Sequence, residues 1–393
     1  KNKMKIGIDK IGFAMPEYYL DIRDLAIARG IEPDKFTKGL LQLEMSIPPV
    51  SQDIVTLGAQ AAFEILDDED LEKIDMIIVG TESGIDQSKA SAVFIHGLLD
   101  IQPFVRTIEV KEACYGATAA LDFAKNHVLN NPDSRVLVIA SDIAKYGVKS
   151  SGESTQGAGS CAMLVTSNPR LLELNNDNVC LTRDVMDFWR PNYSQYAFVE
   201  GKFSTEQYLG CLETVWAKYL ERTKQQLQDF SAVCLHLPYP KLGLKGLQLL
   251  LEQENNESTK ENLLARFNES ILYSQRVGNI YTGSLFLGLL SLLENNTTLK
   301  AGDKIALYSY GSGAVAEVFG MTLVEGYENQ LKTNRLEQFN NRKQISVDEY
   351  EKMFFRDTTV DEDGNLDISD IRDESRFILE KIENHKRIYK KQI

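Results

Sequence analysis

The sequence has few cysteines, few histidines and no long hydrophobic run. Its 393 residues include four histidines and five cysteines, at positions 114, 161, 180, 211 and 234, with no CxxC pair and no Cys/His spacing of the kind that binds a metal. We therefore expect no metal site. An odd number of scattered cysteines is typical of a reducing compartment, so we also expect a cytoplasmic protein.

The sequence also has no long apolar segment and fewer basic than acidic residues. The longest apolar run, residues 285–293, is far shorter than the ~20 residues that a membrane-spanning helix needs, so no membrane partner is expected. Lys and Arg total 43 against 57 Asp and Glu, a net charge of -14, which disfavours nucleic acid and anionic membranes. A polyanionic ligand would need a local basic pocket. Residues 1–3, ahead of Met4, are interpreted as an N-terminal remnant outside the fold.

Two halves of the chain repeat one order of strand and helix patterns. In the first half, the order is strand, strand-turn-helix, strand and strand, at residues 75–83, 106–129, 135–144 and 158–167. The second half repeats it at residues 231–240, 278–296, 303–313 and 315–326. The pattern predicts a duplicated mixed α/β unit, with a central sheet covered by helices.

Two other segments lack this pattern. Residues 171–230 contain WRPNYSQYAF and an amphipathic stretch, and are interpreted as an inserted cap rather than sheet. Residues 327–393 are charged and predict a C-terminal helical extension. The expected division is 4–170 for the first half, 171–326 for the cap and second half, and 327–393 for the extension.

Cys114 is the candidate nucleophile. It lies in KEACYGATAALDFA, where a strand pattern stops and small residues allow a helix to begin. Such a turn exposes the sulfur at a helix N-terminus, where the helix dipole favours a thiolate. A packed structural cysteine is the alternative, and local context alone leaves the two interpretations evenly matched.

Glu82 and His236 occupy corresponding positions of the two halves. Glu82 closes the strand DMIIVGTES, and His236 interrupts the apolar strand SAVCLHLPYP. Taken singly, Glu82 fits the first residue of a loop and His236 fits a satisfied core histidine. If the halves pack about a pseudo-two-fold axis, both side chains face one cleft, with Cys114 and Asn279 on equivalent turns.

Three other sequence patterns give weaker support for a functional site. Gly311-Ser312-Gly313 lacks the full glycine spacing of a dinucleotide loop, and residues 359–370 lack the first and last ligands of an EF-hand. Lys241 and Lys245 form a basic pair after His236. The pair fits either a solvated helix face or a contact to phosphates.

Five motifs in order give the chain a resemblance to bacterial-type 3-hydroxy-3-methylglutaryl-CoA (HMG-CoA) synthases. They are GTES at Glu82, KEACYGATAA at Cys114, HLPYPKLGLK at His236, GNIYTGSL at Asn279 and YSYGSG at Ser312. The similarity extends over essentially the whole chain. It implies the thiolase-like α/β fold, a duplicated five-layered αβαβα core with an inserted helical cap.

The resemblance also implies a reaction. Acetyl-CoA acetylates Cys114, Glu82 removes a methyl proton, His236 polarises the ketone of acetoacetyl-CoA, and water releases HMG-CoA, in the mevalonate route to isoprenoids. Because the CoA thioesters are substrates, no cofactor is expected. The resemblance also implies a homodimer. Substrate contacts are implied at Thr155, Ser204, Lys241, Lys245, Asn279 and Ser312.

The sequence departs from the family pattern at two places along the expected acyl-CoA tunnel. Ser154 stands where a proline is usual, and residues 192–195 (Asn-Tyr-Ser-Gln) replace a Thr-Gly-His stretch. The nearest alternative function is another thiolase-fold condensing enzyme, a thiolase or a ketoacyl synthase III. Those enzymes use a cysteine with two histidines or with His and Asn, so Glu82 argues against them.

Overall fold

The computed structural model describes residues 3–393, so Lys1 and Asn2 of the interpreted N-terminal remnant lie outside the described residues. The strands are β1 (Ile6–Ala14), β2 (Tyr18–Asp21), β3 (Glu44–Ile47), β4 (Ile74–Gly80), β5 (Arg106–Val110), β6 (Arg135–Ala144), β7 (Gly157–Ser167), β8 (Leu172–Leu174), β9 (Val179–Thr182), β10 (Phe188–Trp189), β11 (Phe198–Val199), β12 (Ala232–Leu235), β13 (Lys304–Gly311), β14 (Val315–Leu323), β15 (Lys343–Gln344), β16 (Leu366–Asp367), β17 (Phe377–Glu383) and β18 (Lys386–Lys391). The helices are α1 (Ile22–Ala28), α2 (Asp34–Thr37), α3 (Ile54–Phe63), α4 (Asp68–Lys73), α5 (Ser91–Leu98), α6 (Gly116–Asn130), α7 (Gly201–Thr223), α8 (Pro240–Leu251), α9 (Glu257–Ser270), α10 (Leu272–Val277), α11 (Gly283–Asn295), α12 (Arg335–Asn340) and α13 (Val347–Phe355). Across residues 3–393, no helix combines the length and apolarity needed to cross a membrane.

The main sheet has ten strands and joins the two halves. Its order is β12-β13-β14-β8-β1-β7-β6-β4-β5, with β9 paired to β14. Short strand β8 is the link, because Leu172 pairs with Ile8 of β1 on one side and with Leu323 of β14 on the other. The expectation that residues 171–230 lie outside the sheet is therefore wrong at their start, where β8 and β9 were too short to give a strand pattern.

The side chains of each half-sheet point alternately into two different cores. In β6, Val138 belongs to a cluster that contains α6 and α11, whereas Ile139 packs with α3 and α5. In β13, Leu307 joins that same central cluster, and Tyr308 packs with α7 and α8. Alternation with a period of two is what a strand buried on both faces requires. The result is the predicted five-layered arrangement, with α6 and α11 between the half-sheets.

The C-terminal region is only partly helical. Helices α12 and α13 agree with the prediction, but β16, β17 and β18 form a three-stranded sheet, so the helical prediction is wrong for the end of the chain. In β17 Phe377 and Leu379 are buried and Ile378 between them is more exposed, which is a strand alternation. The hairpin reverses at Asn384 and His385, both with positive φ. The many charged residues of this hairpin obscured the strand periodicity in the sequence.

Arg335 of α12 forms ion pairs with both halves of the fold. Its replacement tests how much these ion pairs stabilise the protein. Its side chain is 2% exposed and pairs with Glu64 at 2.8 Å and Glu294 at 3.0 Å. We expect Arg335→Met to lower the free energy of unfolding by about 3 kcal/mol, because it leaves buried carboxylates without their partner. Urea denaturation measures this. The exposed Arg372→Met is the control, with an expected change below about 0.5 kcal/mol. Equal stabilities for the two variants would contradict the assignment.

Candidate active site

Cys114 lies on a tight turn between β5 and α6. Ala113 before it has a φ of 42°, and α6 begins two residues after it, at Gly116. The turn passes so close to the end of β4 that a Cβ on Gly80 would lie 2.5 Å from the amide nitrogen of Ala117. That same amide donates a hydrogen bond to Thr282 Oγ1 at 2.8 Å, at the start of α11. The strand-turn-helix predicted at Cys114 is present.

The Cys114 thiol faces a carboxyl group. Its Sγ lies 3.9 Å from Glu82 Oε2. Burial raises the pKa of Cys114 well above its ordinary value, and the negative charges of Glu82, Asp142 and Glu112 raise it further. Burial and the three carboxyl groups therefore oppose the thiolate that the helix N-terminus favours.

Glu82 follows β4 and is held in place through its main chain. Oδ1 of the buried Asp142 accepts hydrogen bonds from the Glu82 amide at 2.9 Å, from the Thr81 hydroxyl at 2.8 Å and from the Ser83 hydroxyl at 2.8 Å. Burial raises the pKa of Glu82 well above the usual carboxyl range, and the charge of Asp142 adds to the effect. The pKa of Asp142 itself is raised to about 7, again mainly by burial. A carboxyl group with a raised pKa is a stronger proton acceptor when it is ionised, which is the property that a general base needs.

His236 lies immediately after β12 in the second half. Its amide donates to the Tyr308 carbonyl at 2.8 Å, and its carbonyl accepts from the Tyr208 hydroxyl at 2.7 Å. Within residues 3–393 the buried ring Nδ1 has no hydrogen-bond partner. A core histidine normally has its ring nitrogens satisfied, so this geometry favours a functional histidine. Burial lowers the pKa of His236 to about 3, and the ring is therefore neutral.

One cleft of about 510 Å³ brings most of the predicted residues together, a size suited to a small-molecule ligand. Its lining includes Cys114, His236, Thr155, Ser204, Asn279 and Ser312. Glu82 is not part of this lining and approaches the cleft through its contact with Cys114. Lys241 and Lys245 are also outside the lining, on α8, whose first turn borders the cleft through Tyr239 and Leu242.

The predicted substrate-contacting side chains also make contacts within the protein. Asn279 Nδ2 donates to the Tyr146 hydroxyl at 3.1 Å, and its Oδ1 accepts from the Tyr281 amide at 2.8 Å. Thr155 Oγ1 donates to the Gly152 carbonyl at 2.9 Å. These bonds fix the polar groups before any ligand binds, which lowers the entropy cost of binding.

The two departures from the family pattern lie at the cleft or next to it. Ser154 is buried and lines the cleft beside Thr155. Residues 192–195 form the turn between β10 and β11, and Tyr193 there is 89% exposed. Ser154 therefore changes the wall of the cleft, whereas residues 192–195 lie on the hairpin whose Phe188 and Val199 line it.

Sequence reasoning missed several residues of the site. Buried Asp187 accepts from the Tyr310 hydroxyl at 2.6 Å, the Gly313 amide at 2.8 Å and the Ser204 hydroxyl at 3.2 Å. Asp142, Tyr146, Tyr281 and Arg190 were missed as well. For Asp142 the sequence did contain a signal. It lies inside an otherwise apolar strand, and a carboxylate is almost never fully buried unless it is paired.

Residues 359–370 form a hydrogen-bonded acidic turn. Asp361 Oδ1 accepts the amides of Asp363 at 3.0 Å and Asn365 at 2.8 Å, and Arg356 forms two hydrogen bonds with Asp370. Over the described part of the chain, no group of three or more His, Cys, Asp or Glu side chains is arranged to hold a metal ion.

Two family models match consecutive parts of the chain. The N-terminal model of hydroxymethylglutaryl-coenzyme A synthase matches residues 2–169, and the C-terminal model matches residues 177–264 and 250–392. The chain belongs to the HMG-CoA synthase family. The family predicted from the five sequence motifs is confirmed.

Known HMG-CoA synthases resemble the chain over its full length. The hydroxymethylglutaryl-CoA synthase of Enterococcus faecalis is 53% identical over 388 residues, covering 98% of this chain and 100% of the relative. A crystal structure of an HMG-CoA synthase complexed with CoA aligns with a TM-score of 0.97 and 56% identity, over 99% of this chain and 100% of that chain. MvaS in complex with 3-hydroxy-3-methylglutaryl coenzyme A aligns with a TM-score of 0.88 and 31% identity, over 99% of each chain.

Proposed function

We propose that the protein condenses acetyl-CoA with acetoacetyl-CoA and water to give HMG-CoA and CoA, through an acetyl group carried by Cys114. The observation that carries the proposal is the 3.9 Å approach of Cys114 Sγ to Glu82 Oε2, beside a cleft that His236 also lines. Membership of the HMG-CoA synthase family supports it.

Acetylation of Cys114 is the first step. The sulfur attacks the thioester carbonyl of acetyl-CoA, the bond from that carbonyl to the CoA sulfur breaks, and CoA leaves as its thiol with the proton that Cys114 gave up. Because the pKa of Cys114 is raised, this proton must pass to a base during the attack. Glu82, as the carboxylate in contact with Sγ, is the group in place to receive it.

Carbon-carbon bond formation is the second step. The Glu82 carboxylate removes a proton from the methyl group of acetyl-Cys114, and the resulting carbanion equivalent attacks the ketone carbon of acetoacetyl-CoA. The neutral ring of His236 donates an N–H hydrogen bond to the ketone oxygen, which stabilises the negative charge that develops there. That oxygen finally takes the proton removed from the methyl group, and a tertiary alcohol results.

Hydrolysis closes the cycle. Water adds to the thioester between Cys114 and the new acyl chain, the carbon-sulfur bond breaks, and the product leaves with a free carboxyl group. Cys114 regains its proton. The three steps need only Cys114, Glu82, His236, the two thioesters and water, so we propose no cofactor for the reaction.

The remaining contacts are assigned to the acyl-CoA chain. Thr155, Ser204, Asn279 and Ser312 lie along the cleft and are proposed to contact the acyl and pantetheine groups. Lys241 and Lys245 of α8 are proposed to contact the phosphates, since they supply positive charge near the cleft in a protein of net charge -14. We further propose a cytoplasmic homodimer acting in the mevalonate route.

Product identification tests the proposed function. The protein is incubated with acetyl-CoA and acetoacetyl-CoA, and the CoA esters are separated and weighed by mass spectrometry. We expect HMG-CoA to form, with release of one CoA per turnover. Conversion of acetoacetyl-CoA and CoA into two molecules of acetyl-CoA would indicate a thiolase instead, and the absence of any new CoA ester would contradict condensation altogether.

A further inference from the structure

Arg190 connects the cleft wall to Glu82. It lies on a hairpin, here called the strap, that comprises residues 188–199 and the paired strands β10 and β11. Arg190 Nη2 donates a hydrogen bond of 2.6 Å to the main-chain oxygen of Glu82. Glu82 is more than a hundred residues away in sequence, so the contact crosses from the strap to the first half of the fold.

The strap also forms part of the cleft. Phe188 and Val199, which pair across its two strands, both line the cleft. The ring of Phe188 lies 6.2 Å from that of Tyr146 and 6.0 Å from that of Tyr281, so the strap packs on the aromatic wall beside Asn279. An acyl-CoA in the cleft would touch Phe188 of the strap, which is two positions from Arg190.

The charge of Arg190 distinguishes it from the other ionisable groups around Glu82. The groups that face Glu82 are Asp142 from β6, Glu112 and Cys114 from the turn before α6, Tyr146 from the loop after β6, Tyr281 from the loop before α11, and Arg190 from the strap. Asp142 and Glu112 raise the pKa of Glu82, whereas Arg190 lowers it. An opposite charge favours the ionised carboxyl, which is the form that accepts a proton.

We propose that Arg190 is a positioning residue for carbon-carbon bond formation: from the strap it holds the main chain of Glu82 and keeps that carboxyl ionised for removal of the methyl proton. The inference rests on the proposed function, because it needs Glu82 as the base. Because Glu82 is also the group in place to receive the Cys114 proton, Arg190 acts on acetylation and condensation alike, in both cases through the ionisation of Glu82.

The pH dependence of condensation tests the proposal. Loss of the positive charge raises the pKa of Glu82, so the carboxylate persists only at higher pH and the acid limb of the rate profile moves upward. For Arg190→Met we expect a shift of about one pH unit, which is a loss of about tenfold on the acid limb that recovers as the pH rises. Arg190→Lys keeps the charge and should leave the limb within about 0.3 units of the wild type.

Further measurements separate a positioning role of Arg190 from a purely structural one. Acetylation of Cys114 by acetyl-CoA alone should show the same upward shift of its acid limb in Arg190→Met, with the loss recovering as the pH rises, and Arg372→Met serves as the matched surface control. An unmoved acid limb, or an equal loss at every pH and in both partial reactions, would show that Arg190 only packs the strap and would overturn the inference. If Arg190→Met does not fold, Arg190→Gln gives the same charge loss with a hydrogen-bonding side chain. Failure of the wild-type protein to make HMG-CoA would instead refute the proposed function.

Discussion

Cys114→Ala is expected to lose at least about 1,000-fold in the rate of condensation, because the reaction then has no nucleophile to carry the acetyl group. The wild-type protein, incubated with acetyl-CoA alone, should gain about 42 Da on the peptide that contains Cys114, the mass of one acetyl group in place of a proton. Mass spectrometry of the intact and digested protein measures both effects. Cys114→Ala should show no such gain.

Cys161→Ala is a matched control for the removal of a thiol. Cys161 is fully buried in β7, within the central core, and is not among the residues lining the cleft. This variant should still acetylate at Cys114. An acetyl group that appears on another cysteine, or undiminished condensation by Cys114→Ala, would remove Cys114 from the mechanism.

Glu82→Ala should separate the two halves of the reaction. Because Glu82 is the proposed base for the methyl group, we expect condensation to fall by about 100- to 10,000-fold, the usual contribution of a general base. Acetyl-CoA should still acetylate Cys114, although more slowly, since water can replace the base in the cleft. The acetyl-enzyme would then accumulate. A quench experiment that follows acetylated Cys114 and HMG-CoA over time measures both steps.

The outcome for Glu82→Ala also decides between two interpretations of that residue. Condensation at the wild-type rate would make Glu82 an ordinary loop residue after a strand. Asp86→Ala is a suitable control from the same loop, because Asp86 is exposed and accepts hydrogen bonds from the nearby amides of Ser88 and Lys89. It should condense within about twofold of the wild type.

The sequence predicted much of the fold because the duplicated strands are long and apolar. Strands β6 and β7 have nearly continuous apolar runs, and α6 and α11 begin at glycines that follow polar turns. Short strands outside the repeat could not be predicted, since β8, β9 and the strands of the strap show no periodicity of their own. They form because neighbouring strands supply hydrogen-bond partners.

The site could be predicted only as far as its residue types and their order. The repeat placed Glu82 and His236 on corresponding strands, and the structure places Cys114 and His236 in one cleft with Glu82 against the cysteine. The ionisation of Cys114 could not be predicted, because it depends on three carboxyl groups from different parts of the chain. The same holds for Arg190, whose contact with Glu82 requires the strap to fold over the cleft.

The raised pKa of Cys114 has a consequence for the survival of the enzyme between turnovers. Peroxides and alkylating agents react with the thiolate, so a sulfur whose pKa is raised by burial and by the charges of Glu82, Asp142 and Glu112 is a poorer target for them. Full nucleophilicity arises only as the attack on the thioester proceeds. The acidic surroundings that slow ionisation thereby protect the acetyl carrier from oxidative and electrophilic damage.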